Sequence, residues 1–360
     1  MVLTGTAALT AEGLSELSHD TAESNRRAVA LFERALGLDA GFAAAYMGLA
    51  RAYVQRTDDL RLGGSWLEPA VTAARRAVEL DPSLGDAYVA LGRAYRIKGW
   101  LREELQLWQQ RTQIDPNDAN ATEKIGWLLW FTGRADESLP WLHRALALRP
   151  AGRWTHFYLG NVNLALGNYD EAERMYARAL EVHPDHSSAQ AGVIWSLLAA
   201  GSDDNARSHL LRFQAGSFDG DRYQLKLADV EYFLSEDENA ALHAREALAE
   251  PEERYWPRGL LASTILGALL QPVDAAGAEQ QLEHSEQIDR ERLEGGDQGY
   301  MPHIDLAAVE AIRGEAHAAC RSLRSAIAAG WRYPSLAARD RLFQNLRTDQ
   351  EFLSLITVTA

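Results

Sequence analysis

Few residues in this sequence have the types and spacing of a chemical site. His183 and His186 stand three positions apart and could chelate a metal ion, but no third ligand lies near them along the chain. The nucleophile elbow GxSxG, the zinc motif HExxH and the phosphate-binding patterns GxGxxG and GxxxxGK[ST] are all missing from the 360 residues. We therefore predict no catalytic residues, no metal, no cofactor and no enzyme activity.

The charge balance restricts the class of partner. With 36 basic and 51 acidic residues the formal charge is −15, which disfavours nucleic-acid phosphates and anionic lipid. No stretch approaches the roughly 20 apolar residues of a membrane helix, and the first residues, MVLTGTAALTAEGL, lack the basic start of a signal peptide. Cys320 is the only cysteine, which fits a reducing compartment. We predict a cytoplasmic protein with no nucleic-acid and no membrane partner.

Any other candidate site depends on the elements that position it, and these elements repeat. A proline follows an acidic or basic turn every 34 residues, at Pro82, Pro116, Pro150 and Pro184. Glycines keep the same interval, at Gly99, Gly133, Gly167 and Gly201. Such a glycine can adopt the left-handed conformation that ends a helix, and proline prevents the next helix from continuing. The interval therefore predicts a series of helix pairs.

This pattern resembles the tetratricopeptide repeat (TPR), whose 34-residue signature is W-x2-L-G-x2-Y…A-x3-F…P. The best copy starts near Arg153 and contains Leu159, Gly160, Gly167, Ala172, Tyr176, Ala179 and Pro184. The resemblance implies an all-α fold, a right-handed α-solenoid or TPR superhelix of about eight helix-turn-helix repeats with a C-terminal capping helix.

The quality of the repeat varies along the chain and predicts its organisation. A degenerate N-terminal repeat covers residues 1–42. The main array covers 43–254, with units starting near 43, 85, 119, 153, 187 and 221. Divergent C-terminal units cover 255–333, and an amphipathic capping segment covers 334–360.

The end of the chain resembles a narrower group, the C-terminal TPR region of bacterial winged-helix regulators, adenylate cyclases and Ser/Thr kinases. Their closing motif D-P-x-F-x-x-L-R-x-D-P-x-F is similar to Asp340, Phe343, Leu346-Arg347, Asp349 and Phe352, although Arg341 and Gln350 replace both prolines. This resemblance implies a role in bacterial signalling or regulation.

The TPR resemblance also implies which residues face the concave groove, namely positions 2, 5, 9, 12 and 13 of each first helix. In this chain those positions carry a strip of large side chains, because exposed aromatic patches usually mark interfaces. The predicted groove residues are Trp127, Trp130, Phe131, Trp154, Phe157, Asn161, Trp195, Tyr232 and Phe233. The same side chains can instead pack against the neighbouring first helix, which is the alternative interpretation.

Three arginines, Arg51, Arg93 and Arg96, occupy groove positions nearer the N-terminus. An arginine can hold a carboxylate through two parallel hydrogen bonds, so these residues are candidates for binding an acidic group. The alternative is a solvated helix face.

The function that these features predict is a protein–protein interaction scaffold that binds a partner protein or peptide in the groove. Two other functions stay open. One is a regulatory sensor for a small apolar ligand or signal peptide, which ligand-dependent thermal stability would reveal. The other is structural self-association, which a concentration-dependent mass would reveal.

Overall fold

The computed structural model describes residues 5–57, 64–152, 154–216, 223–249 and 256–358. Within these ranges the chain consists of helices and turns and contains no β-strand. The predicted all-α solenoid is confirmed. By its internal contacts the chain forms two compact units, Met1–Ala121 and Thr122–Ala360, which are called here the N-terminal and the C-terminal unit.

The N-terminal unit contains three helix pairs, each a first helix followed by a second helix that packs against it. The pair α3–α4 encloses the predicted insertion between its helices, and residues 58–63 of that insertion lie outside the described ranges. The pairs are α1 (Gly5–Leu17) with α2 (Ala22–Leu38), α3 (Ala43–Thr57) with α4 (Leu67–Leu80), and α5 (Gly85–Ile97) with α6 (Leu101–Ile114).

The C-terminal unit continues the series from α7, whose first residues precede the unit boundary. The predicted unit starts at 153 and 221 fall on residues outside the description, and the corresponding helices begin at Thr155 and Tyr223. The pairs are α7 (Ala119–Phe131) with α8 (Ala135–Leu148), α9 (Thr155–Ala165) with α10 (Tyr169–Val182), α11 (Ser187–Ala199) with α12 (Asp203–Ala215), α13 (Tyr223–Phe233) with α14 (Asp237–Ala247), α15 (Ala262–Leu270) with α16 (Ala275–Glu294), and α17 (Met301–Ile312) with α18 (Ala316–Ala328).

The last residues form three short elements, α19 (Pro334–Arg339), a 3₁₀ turn (Arg341–Leu346) and α20 (Gln350–Val358). The described ranges thus hold nine helix pairs, where the sequence predicts about eight. The 3₁₀ turn packs on α17, and α20 packs on α18, as expected of a capping segment.

The conserved interval of glycines has the predicted geometry. Gly99, Gly133, Gly167 and Gly201 end the first helices α5, α7, α9 and α11 with φ between +71° and +79°. Gly160 allows α9 and α10 to approach closely, because a Cβ at this position would lie 2.4 Å from Cε1 of Tyr176. These contacts bring the first helices of neighbouring repeats side by side, and both candidate surfaces below are built on them.

Candidate partner-binding surfaces

The predicted aromatic strip lies in the C-terminal unit, on its first helices. We call it the aromatic face, and define it by Trp127, Trp130 and Phe131 of α7, Trp154 immediately before α9, Phe157 and Asn161 of α9, Trp195 of α11, and Tyr232 and Phe233 of α13. The side chains form a connected set: Trp127 stacks on Phe131 with ring centroids 5.3 Å apart, and Trp195 meets Phe233 edge-on at 5.5 Å.

Most of the aromatic face is not open to solvent, contrary to what the sequence predicts. Trp195 is fully buried, and Trp130, Phe157, Asn161 and Tyr232 each keep less than a tenth of their surface exposed. The physical reason is that other parts of the same unit lie against these side chains. Binding of a partner through the aromatic face stays a prediction, and it would require these parts to move.

Two non-repeat stretches supply the cover, residues 256–261 and residues 331–343, which we call the covering segments. The ring of Trp256 lies 5.8 Å from Trp130 and 6.1 Å from Phe157, edge-on to both. Tyr333 is buried beside them, and its hydroxyl accepts a hydrogen bond of 3.2 Å from Nε1 of Trp130 and a second one from Nε1 of Trp256. The two covering segments and the aromatic face therefore share one polar contact within an apolar interior.

A buried ion cluster joins both covering segments to α13. Arg258 is 4% exposed, and its Nη1 donates to Oδ1 of Asp229 at 2.5 Å and to the carbonyl of Asp229 at 3.1 Å. Its Nε donates to Oδ2 of Asp340 at 2.9 Å. Burial raises the pKa of Asp229 to about 7, while the Arg258 guanidinium acts in the opposite direction. A charge buried in this way is tolerated only with its partners in place, so the cluster fixes the covering segments on α13.

Further contacts hold the second covering segment along α11 and α13. Arg339 donates to the carbonyl of Leu198 and to Oδ1 of Asp203, and the guanidinium of Arg341 lies 4.5 Å from the centroid of the Tyr232 ring. Gly330 precedes this segment and contacts the end of α7 so closely that a Cβ would lie 2.5 Å from the carbonyl carbon of Thr132.

Part of the aromatic face remains accessible around α7 and α9. Trp127 and Phe131 are half-buried, and Trp154 is 36% exposed. Trp154 stacks on Tyr158 and meets the ring of His186 edge-on at 4.7 Å. His186 is thus a ring-packing residue. Among the described residues no group of three or more His, Cys, Asp or Glu side chains could hold a metal ion.

Asn161 has an internal role in this structure. Its side chain is 1% exposed, and its Oδ1 accepts a hydrogen bond of 2.8 Å from the hydroxyl of Tyr176 on the paired helix α10. This contact joins the two helices of one repeat.

The second candidate surface is a cavity in the N-terminal unit, between α1, α3 and α5. Its volume is about 500 Å³, within the range of roughly 300–1,000 Å³ that ligand sites occupy. Both Arg51 and Arg93 are exposed at this cavity, and so is Val89. The lining residues are Leu14, Leu17, Ser18, Asp20, Arg51, Val54, Gln55, Asp86, Val89, Ala90 and Arg93. Two of the three predicted arginines therefore meet at one open site.

The third arginine, Arg96, does not line this cavity. It forms an ion pair with Glu104 of α6, whose side chain is fully buried and also accepts a hydrogen bond of 3.1 Å from Nε1 of Trp108. Because Arg96 neutralises a buried carboxylate, its predicted role in binding a partner competes with a structural one.

Sequence reasoning missed the covering residues Trp256, Arg258, Tyr333 and Arg339. They lie outside the repeat positions, so the 34-residue pattern assigns them no place. The signal that was available is their composition, since Trp256-Pro257-Arg258 and Trp331-Arg332-Tyr333 concentrate aromatic and basic residues between repeats.

The comparisons with known proteins agree with the repeat assignment. Two family models described as tetratricopeptide repeat match residues 118–185 and 157–220. Residues 118–220 therefore consist of tetratricopeptide repeats, and no curated protein matches the chain.

Solved structures show the same fold at low identity. A tetratricopeptide repeat protein from Parabacteroides merdae is 14% identical with a TM-score of 0.59, and the match covers 74% of this chain and 99% of that one. The human IFIT1 dimer with PPP-AAAA is 17% identical with a TM-score of 0.51, covering 89% of this chain and 71% of that one. At these identities the likeness concerns the fold alone.

Proposed function

We propose that this protein is an interaction scaffold that binds a segment of a partner protein in the cavity of its N-terminal unit. The observation that carries the proposal is the difference between the two candidate surfaces. The aromatic face is covered by its own chain, whereas the cavity between α1, α3 and α5 leaves two arginines and a valine exposed. Tetratricopeptide repeats generally mediate protein–protein interactions and are typically not enzymes, which supports a binding role.

The chemistry of the cavity favours a protein segment over the other classes of ligand. Its lining alternates apolar side chains with Asp20, Arg51, Asp86 and Arg93, so a small apolar ligand would leave four charged groups without compensation. The overall charge of −15 disfavours a nucleic acid. Peptide backbone and mixed side chains match this alternation of apolar and charged groups.

We also propose that the interaction serves a regulatory role in the bacterial cytoplasm. The support is the similarity of the closing residues Asp340 to Phe352 to the TPR region of bacterial regulators, together with the single cysteine of the chain. In the described residues no helix is both long enough and apolar enough to span a bilayer.

The cavity can be tested with a library of random nine-residue peptides displayed on phage. Peptides selected by the wild-type protein are expected to lose at least about tenfold in affinity for the double variant Arg51→Glu, Val89→Asp, since each change places a like or charged group against the bound segment. Affinity would be measured by fluorescence anisotropy, with circular dichroism as the check that the variant is folded.

The matched control is Arg34→Glu, which reverses an exposed charge on the second helix α2, away from the cavity lining. It should leave the selected affinities unchanged. Selected peptides that bind the double variant as well as the wild type would overturn the proposal.

A further inference from the structure

The covering segments show how a first-helix face of this chain receives a non-helical segment. Residues 256–261 are turn and extended backbone, and they contact the C-terminal unit through one charged pair and adjacent aromatic rings. The charged pair joins Arg258 to Asp229, a residue of the first helix α13. In the C-terminal unit the segment therefore supplies a guanidinium and the first helix supplies a carboxylate.

Asp229 occupies the ninth position of its repeat, and the corresponding position can be followed through the whole array. Arg51 and Arg93 are 42 residues apart because of the insertion, and the later residues follow at intervals of 34. Position 9 of successive first helices holds Arg51, Arg93, Trp127, Asn161, Trp195 and Asp229. The charge at this position is thus basic in the N-terminal unit and acidic in the last of these helices.

The two basic positions adjoin one another. Arg51 lies on α3 and Arg93 on α5, and these first helices pack directly against each other. Both side chains are exposed at the cavity, and Val89 beside them keeps 45% of its surface exposed. A carboxylate that reaches both guanidiniums would accept charge-assisted hydrogen bonds from each, and Val89 would contact a neighbouring apolar side chain.

Two aspartates limit how acidic the bound segment can be. Asp20 accepts a hydrogen bond from Nε2 of Gln55, and that nitrogen also donates to the carbonyl of Leu17 at 3.0 Å. Asp86 lies in the first turn of α5, where the helix N-terminus favours a negative charge. Both carboxylates line the cavity, so a run of several acidic residues would be repelled there while a single one would not.

We infer that the N-terminal cavity recognises a non-helical segment with one carboxylate side chain next to an aliphatic residue, the carboxylate being held by Arg51 and Arg93. The inference rests on the proposed function and specifies its partner: the segment carries the charge opposite to that of Arg258, because the charge at position 9 is opposite to that of Asp229.

The experiment uses the nine-residue peptides selected from the random phage library by the full-length protein. We expect the selected peptides to share one Asp or Glu adjacent to Val, Ile or Leu. In synthetic copies, replacing that acid by its amide should lower the affinity about tenfold or more, because hydrogen bonds to a charged group are worth about 1.5–3 kcal/mol. Replacing the flanking residues by further glutamates should also lower it.

A charge exchange supplies the second measurement. The variant Arg51→Glu should lose affinity for the acidic peptide and regain it for the peptide in which lysine replaces the acid, whereas Arg34→Glu should show neither effect. Selected peptides without an acid preference that still fail to bind the double variant Arg51→Glu, Val89→Asp would overturn this inference and leave the proposed function standing. Peptides indifferent to every cavity variant would overturn both.

Discussion

At the scale of single residues, the C-terminal unit depends on buried charges that are neutralised locally. Glu231 on α13 is fully buried, and its two carboxylate oxygens are shared between Gln214, which donates at 2.8 Å, and the ring of His243, whose Nδ1 lies at 2.7 Å. The hydrogen bond to Glu231 raises the pKa of His243 above its ordinary value of 6.5. A buried carboxylate thus favours the protonated imidazole.

This pair predicts how the stability of the unit depends on pH. A raised pKa in the folded state means that the contribution of His243 to stability is complete below about pH 6.5 and is lost as the pH rises through the folded-state pKa. The variant His243→Gln keeps a hydrogen-bond donor without the titration, so its free energy of unfolding should change less between pH 6 and pH 9 than that of the wild type. Urea unfolding followed by tryptophan fluorescence measures both slopes.

The control for this experiment is His143→Gln, on the exposed side of α8. It should retain the pH dependence of the wild type. A wild-type slope in His243→Gln would show that the Glu231–His243 pair does not contribute to it.

At the scale of elements, each repeat is specified by the fit of one large side chain between small residues. The ring of Tyr176 on α10 is fully buried, and it lies against Gly160 of α9 and Gly192 of α11. The second helix therefore inserts its ring between two consecutive first helices. The sequence predicts the close approach at Gly160 correctly, because the small residue and the large residue recur together at the repeat interval.

The variant Gly160→Ala tests this fit. Its Cβ would lie 2.4 Å from Cε1 of Tyr176, and the ring cannot shift away because the corresponding atom on Gly192 would lie 2.6 Å from the same carbon. We expect a loss of about 1–3 kcal/mol in the free energy of unfolding, measured by urea titration. Gly37→Ala serves as the control, since no atom lies within 4 Å of its added Cβ. Equal stability of the two variants would contradict the assigned packing of α9 on α10.

At the scale of the C-terminal unit, the covering segments complete an interior that the repeats leave open. Tyr333 is separated by 203 residues from Trp130 and by 77 from Trp256, yet its hydroxyl accepts a hydrogen bond from both indoles. Arg339 reaches back 136 residues to Asp203. Such contacts exclude water from the aromatic face and make it part of the core of the unit.

Deleting the shared acceptor measures how strongly the cover is held. Tyr333→Phe keeps the ring but removes the only printed acceptor of Nε1 of Trp130, and we expect a loss of about 1–3 kcal/mol in the free energy of unfolding. Tyr169→Phe is the matched control, because its hydroxyl donates to Oγ of Ser335 at 3.0 Å in a half-buried position and should cost less than about 1 kcal/mol. Equal losses in the two variants would mean that the buried contact has no special weight.

The sequence by itself determined the helix pairs and the places where they end. Glycines at +71° to +79°, prolines after the second helices and the pairing of Gly160 with Tyr176 all follow from a pattern that repeats within 34 residues. It also identified Arg51 and Arg93, since repeat position alone places them on first helices. These features are local, so a periodic pattern is sufficient to specify them.

Tertiary structure alone decided which of the predicted residues are accessible. Trp130 and Arg51 occupy comparable helix faces, but Trp130 is covered by Trp256 and Tyr333 whereas Arg51 lines an open cavity. The covering residues are distant in sequence and follow no repeat, and the pairing of Arg258 with Asp229 and Asp340 depends on how far the chain returns onto its own first helices. Burial by such distant contacts is a property of the folded unit, which the local pattern does not encode.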